Sequence, residues 1–311
     1  MRRILLLAWV MVLAILWVGG GAWAQEKRIQ ITASILPLAD FSRRIGAELV
    51  DVQVLVPPGA SPHTFEPPPS VVARAAKARL LVYIGQGLEP WAERLARSLE
   101  KGAVAVEAAQ GLPLIREIHQ ETSQRGHEHG EKGARSHAHG GANPHIWLDP
   151  VLVQEISKKI AKALIQIDPS HRGLYERNLE GFLLQLQTLD QEIRERVSGF
   201  QIRKYVCFHP AYVYFSRRYG LEEVGVMELS PGREPSPRHL RDLVARIREH
   251  GIRVVFAEPQ LNPRVAEVMA KEAGVRVAML DPLGGQPPYG SDYLALMRHN
   301  LQVMAEAMGE R

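Results

Sequence analysis

The side chains in this 311-residue chain best suited to chemistry are imidazoles, and six of its twelve histidines crowd between His119 and His145. Two pairs, His127/His129 and His137/His139, have His-x-His spacing, with Gly, Ser, Glu and Lys around them. Short tracts of this kind bind borderline cations such as Zn²⁺, for which neutral imidazole is a good ligand. The stretch Glu121 to Ala142 has no apolar periodicity and buries too little surface to offset its ordering entropy. It is expected to be a mobile loop, so His127, His129, His137 and His139 would form at most weak, secondary metal sites. The alternative is a solvated low-complexity loop that binds nothing. His145 differs, because it lies between Pro144 and the apolar triplet Ile146-Trp147-Leu148, where a side chain is held in one place.

Three other residues stand where a fixed ligand is expected. His63 lies in Pro57–Pro69, PPGASPHTFEPPP, too rich in proline for helix or ladder and therefore a stiff loop. His209 directly follows the apolar run Tyr205–Phe208, and Asp281 directly follows Val275–Leu280. In parallel α/β sheets ligands bind outside the carboxyl ends of strands. His63, His145, His209 and Asp281 would supply three nitrogens and one oxygen, a set suited to four-coordinate Zn²⁺. No short motif ties the four together. Asp281-Pro282 also reads as a turn, His209-Pro210 as a helix start and His63 as a surface histidine. Glu258-Pro259-Gln260, again just past a strand, is the best extra candidate for a supporting role. The single cysteine, Cys207, excludes an intrachain disulfide. Its apolar surroundings read as a buried small hydrophobe, with a thiolate beside His209 as the rival. His171, His239, His250 and His299 read as surface residues on helices.

These candidates are positioned by a chain of globular composition, 46% hydrophobic. Arg2-Arg3, the apolar run Ile4–Val18 and Ala22-Trp23-Ala24 mark residues 1–24 as a secretory signal peptide, shorter than a membrane span. Its removal takes two arginines from a net charge of +4 and leaves about +2, no footprint for nucleic acid. From Arg28 onward, β-branched runs alternate with helical spacing, which predicts a parallel sheet covered on both faces. Residues 25–169 are expected to form one α/β lobe, with the His-rich loop 119–142 inserted, and residues 199–311 a second. Ser70 is read as the cap of a helix SVVARAAKARL, and Asp149-Pro150 as the start of a helix to Ile167. Between the lobes, apolar residues from Leu174 to Val197 recur every three or four positions. They predict a helix over residues 170–198 that joins the lobes as a rigid strut.

Taken together, PPGASPHTFEPPPS, the His-rich loop, NPHIWLDP, FHPAYVYFSRRYGL and FAEPQLNPRVAEVMAKEAGVRVAMLDPLG resemble the extracytoplasmic metal-binding proteins of ABC transporters, the zinc/manganese group with a long helical backbone. The likeness spans nearly the whole chain after the signal peptide. It implies two α/β lobes, a connecting helix and one metal between them, with His63, His145, His209 and Asp281 as ligands. It also implies a non-enzymatic, monomeric carrier in the periplasm that delivers Zn²⁺ to an inner-membrane permease with its cytoplasmic ATPase, without nucleic acid. A third histidine favours zinc over manganese or iron, the alternatives within the class. A secreted zinc hydrolase is the rival outside it, and a zinc buffer acting without a transporter a third reading.

Overall fold

In both halves the β-branched runs become parallel strands and the amphipathic stretches cover them. The computed structural model describes residues 28–116, 141–228 and 235–309. The signal-peptide segment and His119, His127, His129, His137 and His139 lie outside the described residues. The first half runs β1 (Ile29–Ala33), α1 (Leu36–Gly46), β2 (Val50–Val54), α2 (Pro69–Ala75), β3 (Leu80–Tyr83), α3 (Pro90–Arg97) and β4 (Val104–Glu107). Its strands lie in the order β2-β1-β3-β4, all parallel. Then come α4 (Pro150–Ile167) and the long α5 (Arg172–Ser198). The second half runs β5 (Lys204–Cys207), α6 (Val213–Tyr219), β6 (Glu222–Val226), α7 (Pro237–Glu249), β7 (Val254–Ala257), α8 (Arg264–Ala273), β8 (Arg276–Met279) and α9 (Tyr293–Met308). Its strand order, β6-β5-β7-β8, repeats that of the first sheet.

Helix α4 begins as its sequence dictates. The Asp149 carboxylate accepts the amide N–H of Val151 at 2.9 Å, and Pro150 occupies the first position, where no N–H is needed. Helix α2 departs from expectation. It starts at Pro69 with Pro68 before it, so Ser70 is not its cap, and it stops at Ala75. The apolar run that follows is buried along its length and joins the sheet as β3.

Helix α5 buries Tyr175, Phe182, Leu186, Leu189, Ile193 and Val197 along one stripe. At 1.5 Å per residue it is a rod of about 40 Å. One apolar core runs past it from Ile31 and Phe41 in the first half to Tyr205, Phe256 and Met304 in the second. Alternation along β5 sorts the second half. Tyr205 and Cys207 face this shared core, while Val206 and Phe208 face a separate layer with Leu243 of α7 and Met269 of α8. Among the described residues no helix is long and apolar enough to cross a membrane.

Candidate metal centre

Three of the four expected ligands meet between the sheets. The Nε2 atoms of His63 and His145 lie 3.1 Å apart, and those of His145 and His209 lie 3.0 Å apart. One nitrogen from each ring falls within 4.8 Å of the others. With Zn–N bonds near 2.05 Å, a tetrahedral site needs nitrogens about 3.3 Å apart. The two edges that meet at His145 therefore have to widen by only a few tenths of an ångström to seat the ion.

Each imidazole is held differently. His63 sits in the proline-rich loop after β2, which is folded on itself by Ala60 N–H to Pro57 O (3.1 Å) and Phe65 N–H to Ser61 O (3.0 Å). His145 enters a short 3-10 turn, Ile146–Leu148, whose three side chains are all buried. The Asn143 carboxamide oxygen accepts the His145 backbone N–H at 3.0 Å and lies 3.0 Å from Nδ1. An oxygen there can only accept, so Nδ1 carries the proton and Nε2 is left for a cation. Asn143 also donates to Pro210 O at 2.7 Å and so joins His145 to the His209 segment in the other lobe.

His209 follows β5, whose neighbour is β7. Cys207 pairs with Phe256, so two residues further on His209 stands opposite Glu258. Their side chains meet, with Nδ1 2.5 Å from Oε1. The expected supporting role of Glu258 thus takes a definite form, an acceptor behind a metal ligand.

Burial drives the pKa values of His63 and His145 down. His63 is lowered to about 3 by desolvation, helped by nearby His209, and His145 is pushed well below its usual range for the same reasons. Burial acts on His209 too, but the Glu258 carboxylate outweighs it and raises the value.

Asp281 does not join the donor cluster. Its Oδ1 accepts from Gln260 Nε2 (2.7 Å), Leu283 N (2.9 Å) and Gly284 N (3.0 Å), and its Oδ2 accepts from Tyr289 OH (2.7 Å). Here it organises the loop after β8, as an aspartate does when it binds the amides two and three residues on. Cys207 lies outside the cluster as well. Its buried thiol donates to His209 O at 3.1 Å, and burial raises its pKa well above the usual range. Of the four other histidines, His239 is tied to Val226 O at 2.7 Å and His171 to Asp168 at 2.7 Å, both away from the cavity. Reading the sequence missed Asn143, Trp147 and Tyr289. The only signal for the first two was their place in NPHIWLDP.

The cavity at the three rings is about 10 Å³ and is bordered by Ser61, Pro62, Trp147 and Leu283. That is room for one ion or water.

The zinc-uptake component A family, described as periplasmic, matches residues 31–307. The high-affinity zinc uptake system protein ZnuA of Bacillus subtilis is 30% identical, over 93% of this chain and 90% of that one. The zinc-binding lipoprotein AdcA of Streptococcus pneumoniae is 28% identical over 90% of this chain, which spans 56% of that longer protein. A zinc-bound crystal structure of a ZnuA deletion mutant superposes with a TM-score of 0.77 at 34% identity, covering 92% of this chain and all of that one. With the family match running through both lobes and the site between them, the chain belongs to the zinc-uptake component A family.

Proposed function

We propose that this protein captures a Zn²⁺ ion outside the cytoplasm, through His63, His145 and His209, and delivers it to an ABC-type permease driven by an ATPase. The observation that carries the reading is the convergence of three Nε2 atoms, 3.0 and 3.1 Å apart, in a cavity sized for an ion. Three imidazole nitrogens suit Zn²⁺ better than Mn²⁺, which prefers oxygen. Replacing His209 by Ala should weaken zinc binding in a competition titration by at least about tenfold, ~1.4 kcal/mol. Unchanged affinity would remove His209 from the site.

Asp281 Oδ2 accepts one hydrogen bond, from Tyr289, and so keeps a lone pair with which it would supply a fourth donor. X-ray absorption on the zinc-loaded protein tests this. If the spectrum of Asp281→Ala keeps the oxygen donor of the parent, that donor is not Asp281.

A further inference from the structure

Three neutral imidazoles around a divalent cation leave a net charge of +2 in a buried place, since His145 and His209 are 3% and 5% exposed. Charge removed from water is costly unless an opposite charge stands close. The carboxylate in contact with a ligand ring is not Asp281, whose oxygens accept four hydrogen bonds from its own loop and from Gln260 and Tyr289. It is Glu258, 2% exposed, with Oε1 on His209 Nδ1 and Oε2 without a hydrogen-bond partner among the described residues.

A second buried glutamate shows what a carboxylate spent on structure looks like. Glu89, 1% exposed, accepts from Ser34 Oγ (2.6 Å), Ile84 N (2.8 Å) and Gly85 N (3.2 Å). Glu258 borders the cavity and has no such set of partners. Leaving a buried carboxylate oxygen unpaired is unfavourable for the fold alone. Its placement makes sense once a cation lies on the far side of the ring it touches.

We propose that Glu258 is the positioning and charge-compensating residue of zinc capture. It holds His209 with Nε2 toward the cavity and supplies the negative charge against which the incoming cation is bound. The role rests on the zinc-capture reading above and deepens it. The contrast with His145 gives the site two kinds of support. A neutral amide orients His145, whereas an anion both orients and polarises His209. Partners behind metal-bound histidines typically contribute 10–100-fold to affinity, and the share due to charge alone is what Glu258→Gln isolates. Glutamine keeps the shape and an accepting oxygen and loses the charge.

The experiment compares zinc dissociation constants of the mature parent, Glu258→Gln and Glu258→Asp by chelator competition, with the melting temperature of each metal-free form. Glu258→Gln should bind zinc at least about tenfold more weakly, yet melt at or above the parent's temperature. Glu258→Asp, which keeps the charge on a shorter arm, should recover part of the loss. The proposal is overturned if Glu258→Gln binds within twofold of the parent, or if Glu258→Asp binds no better than Glu258→Gln. A Glu258→Gln variant that melts well below the parent would make the role structural and overturn it as well. If that variant does not fold at all, NMR of the zinc-loaded parent decides. A downfield His209 Nδ1 proton is expected, and its absence overturns the proposal. A parent that binds no zinc would instead defeat the capture reading itself, so the two failures are distinguishable.

Discussion

His209 is the one ligand whose protonation competes with zinc near neutral pH. Every imidazole must be unprotonated at the donor nitrogen when the metal binds. His63, lowered to about 3, and His145, lowered further than its ordinary range, meet that condition without help. The pKa of His209 is raised above 6.5, because the Glu258 carboxylate overcomes the effect of burial. The sign follows directly. Above the raised value no proton has to leave and affinity is flat. As pH falls through it, zinc must displace one proton, and log K drops by about one per pH unit. His63 and His145 add to the slope only in strong acid. Competition titrations between about pH 5 and pH 9 should therefore give a single break above 6.5 and a limiting slope near one. A slope near three through the same range would mean that the burial of His63 and His145 does not hold them neutral.

At the scale of elements, strand order makes the site. His209 and Glu258 are separated by α6, β6, α7 and β7 in sequence, yet β5 and β7 are neighbours, so the two residues leave the sheet side by side. This explains what was legible in the sequence. The placement of His63, His145 and His209 after strands or in stiff segments could be read residue by residue, as could the Asp149 cap and the stripe on α5. The contact between His209 and Glu258 could not, because register between strands distant in sequence is a tertiary property. The same limit hid the surroundings of Asp281. Its position after β8 reads as a ligand, and only the packed loop shows Gln260 and Tyr289 already bonded to it. The stripe on α5 gives a direct test. Leu186 is fully buried and Leu184, two residues earlier, is 64% exposed. Leu186→Ala should cost about 2–5 kcal/mol in urea unfolding of the metal-free protein, whereas Leu184→Ala should stay within about 0.5 kcal/mol. Equal losses would mean that the inner face of the helix is misassigned.

For the whole molecule, the question is whether capture requires the lobes to close. Several ties already cross between them next to the site. Asn143 donates to Pro210 O, and Tyr214 OH donates to Asn143 O at 2.8 Å while accepting from Ile115 N at 3.0 Å. Trp147 Nε1 donates to Pro282 O at 2.7 Å, and Arg218 is paired with Asp149. Backbones approach closely as well. A Cβ added at Gly285 would lie 2.7 Å from Pro58 Cβ, so that glycine, at φ +95°, lets the loop after β8 press against the proline-rich loop. At roughly 1 kcal/mol net for each polar tie, opening the lobes costs several kcal/mol before any shared core is exposed. A state that much higher is populated at well under 1%. The unbroken α5 adds a rod with no internal proline to bend at. Zinc entry and release should therefore run through local movement of the loops bearing His63 and His145 rather than through hinge closure. Small-angle scattering of the mature protein should give radii of gyration, near ~19 Å for a chain of this size, that differ by less than about 1 Å with and without zinc. A compaction of about 2 Å or more on adding zinc would show that the lobes swing, and that α5 is not the strut its sequence and packing make it.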